Sequence, residues 1–438
     1  MKVLLSVVSL LFSTALLLVG HGMQLTLLPL RGTGSGLSDL IIGISASCYF
    51  LGFVVGCLAI PKIIARIGHI RGFAVLTAIM ISAILSLEMV SYWALWLWLR
   101  FLTGVAICGL YTVVESWLNS QASASSRGRI LAVYTFITLT AMTGGQFLIN
   151  VGPVDTAIPF MVAALCMALA IIPVGLTRRL APEPVAPTST GFSLLLNRSR
   201  SAFAGALLSG LVAGSFWSLG AVFAQRYTAT QMEITLFMSA AIAGGALMQY
   251  PIGWLSDRID RRRVLCFLAI GGLVTSAAVA VGTGQSWFLP VVALFGACVM
   301  PLYAISLATA ADVSDASEFV AVGTTVLLLN ALGAAVAPLL LGQLMTHYAA
   351  TSLFWSFSLM CGLFALYLAR QLRLPRDITV DEQIPFAAAG VDAAPASFGL
   401  DPRASDDTPE PAHDADATKT APTPDNANGG TRPPSATP

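Results

Sequence analysis

Arg100 holds the position that most needs a chemical reason. It lies in Trp96-Leu97-Trp98-Leu99-Arg100-Phe101, deep in an apolar stretch. An arginine near the middle of a lipid-spanning helix costs about 2.5–3.5 kcal/mol on insertion scales, so it normally faces a cavity or a partner. On a helix, Gly104, Ile107 and Tyr111 share roughly its face, and Glu115 lies about 60° around from it. Two kinds of chemistry suit that stripe, substrate binding and proton coupling. A structural arginine reaching for the interface is the alternative. Glu115 opens Glu115-Ser116-Trp117-Leu118-Asn119. It suits a gate that opens and closes, or a fixed ion pair with Arg127 or Arg129.

A second set is polar residues scattered through apolar segments: His21, Gln24, Glu88, Gln146, Trp217, Gln249 and Asn330. Any one of them serves an interhelical hydrogen bond more often than a ligand. Together they outline a polar chamber, with Glu88 solvated at its outer rim. A third set is the loop Asp257-Arg258-Ile259-Asp260-Arg261-Arg262-Arg263. It reads as a topology signal, or as a latch of ion pairs at helix ends, whose partial charges such residues complement. The sequence shows no phosphate loop, no metal cluster and no nucleophile–base spacing, so no catalytic residue, metal or cofactor is assigned. The cysteines, Cys48, Cys57, Cys108, Cys166, Cys266, Cys298 and Cys361, sit singly in apolar runs. They read as packing residues, since no Cys-x-x-Cys pair occurs and their number is odd.

The elements that hold these residues follow from composition. Hydrophobic residues make up 56% of the chain, charged residues only 10%, and the mean hydropathy is +0.80. Soluble domains carry roughly 25% charged residues. A chain this poor in charge cannot cover itself for water, and lipid is the solvent that tolerates it. About 20 residues of helix cross the hydrocarbon. That length predicts helices at 5–29, 38–61, 72–91, 93–117, 130–150, 157–176, 201–223, 233–255, 264–283, 286–310, 320–345 and 352–371. The apolar run after Met1-Lys2 is too long for a signal peptide and has no small-x-small cleavage site, so a retained first helix is expected.

Charge sets the orientation. With the N-terminus inside, seventeen Lys and Arg fall at one set of helix ends, among them Lys2, Lys62, Arg66, Arg71, Arg198, Arg258 and Arg370. The opposite ends hold Arg31 and Arg226. Both termini are therefore expected in the cytoplasm of a multi-pass protein of the bacterial inner membrane. One loop breaks the pattern, since Asp312, Asp315 and Glu318 come without a basic residue.

The halves echo each other. Pro61-x-x-x-Ala65-Arg66-x-Gly68 matches Gly253-x-x-x-Asp257-Arg258-x-Asp260 at an offset of 192 residues. Ala132-Val133-x-Thr135 with Gly144 matches Ala321-Val322-x-Thr324 with Gly333 at an offset of 189. Duplication of a six-helix unit is the reading, as in transporters built from parallel repeats. The expected organisation is a first bundle over 1–177, a cytoplasmic linker over 178–200, a second bundle over 201–372 and a disordered acidic tail over 373–438. That tail is too poor in apolar surface to offset chain entropy. The fold class is an all-α membrane protein, with twelve transmembrane helices in two pseudo-symmetric bundles.

Twelve helices in two halves, with Asp257-Arg258-x-x-Arg261-Arg262 between helices 8 and 9, resemble the major facilitator superfamily. So does Arg100-x-x-x-Gly104 in helix 4. The YcaD-like bacterial branch is the closer likeness. It rests on Gly20-His21-Gly22 with Leu27-Leu28-Pro29-Leu30-Arg31, on Arg66-Ile67-Gly68-His69-Ile70-Arg71, and on the element at 115–119. The resemblance covers about residues 1–372. It implies that Asp257, Arg258 and Arg262 help lock a cytoplasmic gate, with Gly253, Arg66, Gly68 and Arg71 in the equivalent loops. It also implies that Arg100 takes part in proton coupling. Ala65 replaces the usual aspartate of the first loop, and helix 5 lacks the Gly-Pro motif of drug/proton antiporters. The expected function is secondary transport of a small solute by alternating access, coupled to protons, by a monomer in contact with lipid and not with nucleic acid. The alternatives are a membrane sensor on a transporter scaffold and a proton-driven drug efflux pump.

Overall fold

Segments apolar on every side leave their backbone groups no water to bind, so each must close its own hydrogen bonds as a helix. The computed structural model describes residues 2–90, 92–122, 127–176, 190–228, 230–374, 380–387, 393–401 and 403. Among these residues, 12 helices are long and apolar enough to cross a membrane. The first bundle holds α1 (Lys2–Gly34), α2 (Asp39–Ile67), α3 (His69–Met89), α4 (Trp93–Ser120), α5 (Arg127–Leu148) and α6 (Ile158–Gly175). A short α7 (Phe192–Arg198) precedes the second bundle. That bundle holds α8 (Arg200–Tyr227), α9 (Gln231–Ser256), α10 (Arg261–Val281), α11 (Phe288–Val299) and α12 (Pro301–Ala311), which together make one span, α13 (Phe319–His347) and α14 (Ser352–Gln371).

The helix boundaries have local causes. Ser38 caps α2, and Thr230 forms a capping box with Glu233 at the start of α9. Such caps satisfy amide groups that a helix start leaves bare. Gly68, at φ +82°, turns the chain from α2 into α3, a backbone angle that glycine adopts without steric cost. The expected helix over 286–310 is interrupted at Pro301, which has no N–H to donate, and so divides into α11 and α12. Of the expected linker over 178–200, α7 and its flanks are described, and 177–189 lie outside the described residues.

The repeat read in the sequence reappears as packing. In the first bundle Gly52 meets the Phe101 carbonyl and Gly104 meets the Tyr49 carbonyl. In the second, each 192 residues later, Gly244 meets the Ala293 carbonyl and Gly296 the Ala241 carbonyl. Small residues let helix backbones approach this closely in lipid. The bundles touch most extensively through α2 with α13, and also through α1 with α8, α2 with α8 and α5 with α9. Under the repeat, the α2–α13 and α5–α9 contacts are equivalents of one another.

The helix ends that carry Arg66, Arg71, Arg127, Arg198 and Arg258 form what is here called the basic end, and the opposite side the far end. By contacts the chain divides into Met1–Ala404 and Ser405–Pro438, the second lying outside the described residues. The expectation of a disordered tail from 373 is thereby narrowed. Val380–Glu382 and Pro395–Gly399 form short 3-10 turns, and Ala394, Phe398 and Leu400 are buried in the helical body. Phe398 and Leu400 supply the apolar surface that the bulk composition of the tail conceals.

Candidate functional site

Between the two bundles lies a cavity walled by Tyr134 and Thr138 of α5, Trp217 of α8, Gln249 of α9 and Tyr303 of α12. Ala393, Ser397, Phe398 and Asp401 close it on the basic side. Trp217 and Gln249 were legible in the sequence as polar or aromatic interruptions. Tyr134, Thr138 and Tyr303 were not singled out, although Tyr134 sits within the repeated Ala132-Val133-x-Thr135 element. Tyrosine in an apolar helix reads as ordinary core until a facing helix is known.

Arg100 does not line this cavity. Its guanidinium lies 4.5 Å from the centre of the Tyr49 ring and borders a smaller space with Leu28, Ser45, Trp96 and Ser218. It is 5% exposed, and Nη1 has no hydrogen-bond partner among the described residues. Tyr49 also joins His21, whose Nε2 lies 3.2 Å from the Tyr49 hydroxyl. The structure thus brings Arg100, Tyr49 and His21 into one buried group, with the ring quadrupole offsetting part of the charge. Gln24 and Tyr111 are buried on the same bundle.

Two candidates are committed elsewhere. Gln146 donates from Nε2 to the Gly22 carbonyl at 2.8 Å and accepts from Thr26 at 2.5 Å, which uses its amide to join α5 to α1. Asn330 donates to Ser209 at 3.2 Å and joins α13 to α8. Glu88 is a correction. It is not solvated at the rim but pairs with Arg31 at 2.9 Å.

Glu115 is fully buried. It accepts from the Tyr134 hydroxyl at 3.0 Å and from the Ala394 amide at 2.9 Å. The expected pairing with Arg127 or Arg129 is replaced by these bonds. Farther along the basic end, Asp257 accepts from Arg261 at 3.1 Å and from the Phe386 amide at 2.9 Å. Arg261, 1% exposed, also reaches Asp312 at 3.2 Å. Arg262 pairs with Asp260 at 2.9 Å. Arg258 lies 3.6 Å from the centre of the Trp254 ring. Gly253 is covered by the Phe386 ring. Arg66 and Arg71 are exposed beside Gly68.

At the far end, Arg226 of α8 holds Asp39 of α2 with contacts of 2.7 and 2.6 Å. The Leu40 amide donates to Thr346 at 3.1 Å, and Asn150 donates to Thr235 at 2.9 Å. These bonds cross between the bundles, so the far end is sealed by direct contact.

Comparison with known proteins agrees with this geometry. Residues 202–400 match the family model described as Major Facilitator Superfamily. The chain is 28% identical over 353 residues to the MFS-type transporter YcaD of Escherichia fergusonii, covering 80% of this chain and 91% of that one. The second half of the chain therefore resembles the major facilitator superfamily, and most of its length is similar to transporters of that type. Among solved structures, the nucleoside transporter NupG superposes with a TM-score of 0.71 at 13% identity, covering 84% of this chain and 100% of that one. A bacterial homologue of the human lysosomal transporter Spinster, inward-facing and occupied, superposes with a TM-score of 0.69 at 14% identity, covering 86% and 97%. Both likenesses concern the fold.

These likenesses support a membrane transporter. Within the superfamily motif between α9 and α10, the buried member here is Arg261, which sequence reasoning passed over in favour of Arg258 and Arg262. The signal was present. Asp312 stood out as an acid without a basic neighbour in its own loop, and Arg261 is the base it meets across the bundle. Glu318 of the same loop is matched by Arg198 at 2.6 Å. The acids that break the charge pattern are balanced in space.

Proposed function

We propose that this transporter carries a small, neutral or amphipathic solute across the bacterial inner membrane by alternating access, with the basic end and both termini in the cytoplasm. The observation that carries this reading is one cavity walled by both bundles and sealed at the far end by Asp39–Arg226. Because α2–α13 and α5–α9 are symmetry equivalents, rocking the bundles can exchange which end is closed. The walls suit such a solute. Trp217, Tyr134 and Tyr303 offer ring faces, and Thr138 and Gln249 offer hydrogen bonds. Asp401, the charged residue among those described in the lining, is paired with Arg403 at 2.6 Å. Arg100 and Glu115, both buried in the first bundle, are the groups assigned to proton coupling. The unit of function is the monomer, surrounded by lipid.

The test is a thermal-shift screen of neutral and charged solutes on the purified protein, followed by uptake of the stabilising ones into proteoliposomes. A neutral amphipathic solute is expected to stabilise and to be taken up. Arg100→Ala is expected to insert normally and lose uptake. Uptake by that variant at the parent rate removes Arg100 from the mechanism. Stabilisation by anions alone removes the solute class, and uptake indifferent to an imposed pH gradient removes coupling.

A further inference from the structure

The cytoplasmic mouth of the cavity is occupied by the protein itself. Residues 393–401 and Arg403 enter between the two bundles, where Ala394 and Leu400 are fully buried and Phe398 is 2% exposed. Three features make this a fitted site rather than loose packing. The Ala394 amide supplies one of the hydrogen bonds to the buried Glu115 carboxylate, at 2.9 Å. A carboxylate out of water needs such partners. The Phe398 ring meets Phe319 edge-on at 6.1 Å and rests over Gly323, where a Cβ would come within 2.7 Å of the ring. Gly323 therefore leaves the notch that Phe398 fills. Arg403 and Asp401 enter as a pair 2.6 Å apart, so the segment brings no net charge, and the Arg403 guanidinium lies 5.1 Å from the centre of the Phe319 ring.

Upstream, the same chain lies across the gate motif. The Ile384 amide donates to Asp312 at 3.2 Å, its carbonyl accepts from Arg261, and the Phe386 amide donates to Asp257 at 2.9 Å. Hydrogen-bonding groups that the motif could offer to other helix ends are thus shared with the C-terminal segment.

We propose that the basic mouth is a peptide-binding site whose occupant is the chain's own segment 393–403, and that this segment holds the mouth open and blocks solute until it withdraws. Ala393, Ser397, Phe398 and Asp401 line the cavity on that side, so a solute arriving from there meets the segment first. Glu115 on α4 and Phe319 on α13 are bridged by it, and their helix ends cannot meet while it is in place. The inference rests on the transport reading for its consequence, but the binding site itself can be tested without any solute.

The experiment uses the full chain and a dye-labelled synthetic peptide of residues 393–403. A tethered segment acts at an effective concentration on the order of 1 mM, so a site binding the free peptide at about 100 µM is about nine-tenths filled by its own tail. Phe398→Asp should vacate the site. That variant is expected to bind the peptide about tenfold more tightly than the parent chain, measured by fluorescence anisotropy. Adding Gly323→Leu to it should abolish binding by filling the notch. In a second readout, Ser397→Cys should react with a soluble maleimide about tenfold more slowly in the parent than with Phe398→Asp present. Equal peptide binding by parent and Phe398→Asp, or equal maleimide rates, overturns the proposal and leaves the transport reading standing. Peptide capture with no solute uptake leaves the site standing and removes the transport reading.

Discussion

Replacing Arg226 by alanine is expected to loosen the far end by a calculable amount. Arg226 touches both Asp39 oxygens, at 2.7 and 2.6 Å, with Asp39 2% and Arg226 41% exposed. Unit charges about 4 Å apart attract by about 4 kcal/mol at an effective dielectric constant of 20. Water around the half-exposed guanidinium reduces this, as exposed pairs show. Asp39 also sits in the first turn of α2, where the helix dipole holds a carboxylate by roughly 0.3–1 kcal/mol without Arg226. A loss of about 1–2 kcal/mol remains, between the values for exposed and buried pairs. At 1.4 kcal/mol per factor of ten, the far-open population should rise about 5- to 30-fold. The assay is maleimide labelling of Ala46→Cys, which is 3% exposed and borders the small cavity with Arg100 and Ser218. Labelling from the far side should accelerate in Arg226→Ala by that factor. It should return towards the parent rate when Asp39→Asn is added, because the buried charge is gone. An unchanged rate in the single variant, or a faster one in the double, refutes the seal.

Two further predictions separate structural roles. Gly104→Val and Gly296→Val should each destabilise by about 1–3 kcal/mol or abolish expression, because the added carbon meets a carbonyl of the facing helix and a packed core resists insertion. Gly144→Ala, with nothing within 4 Å of the new carbon, should leave the melting temperature within about a degree of the parent; equal losses at all three positions would contradict the crossing geometry. Arg261→Gln should cost about 3 kcal/mol, since it takes the guanidinium charge away from Asp312, which is 6% exposed. Arg258→Gln should cost under about 1 kcal/mol, because its ring contact is at the surface. A thermal-stability ranking in the opposite order would sink that assignment.

The site was legible only in part, and the division has a physical pattern. Arg100, Trp217 and Gln249 were readable because a polar or charged side chain in an apolar segment carries its own cost and so announces a reason. Gln146 and Asn330 announced themselves equally, and only their partners Gly22 and Ser209 show that they join helices. Tyr303 and Arg261 were missed because each sits among residues that resemble it, and its importance comes from what faces it. The segment at 393–403 was missed because composition averages over a window, whereas a few apolar side chains suffice to seat a short peptide in a notch.

By itself the sequence determined the solvent, the number of helices and their duplication, because hydropathy and repeat spacing are local and additive along the chain. Lipid leaves a helix as the one way to satisfy each apolar segment's backbone, so those readings needed no partner. The tertiary structure alone decided which end is sealed, where Glu115 finds its hydrogen bonds and what fills the basic mouth. Each of those depends on groups hundreds of residues apart, such as Asp39 with Arg226 or Glu115 with Ala394. Their attraction exists only after packing has brought them within hydrogen-bond distance and excluded water.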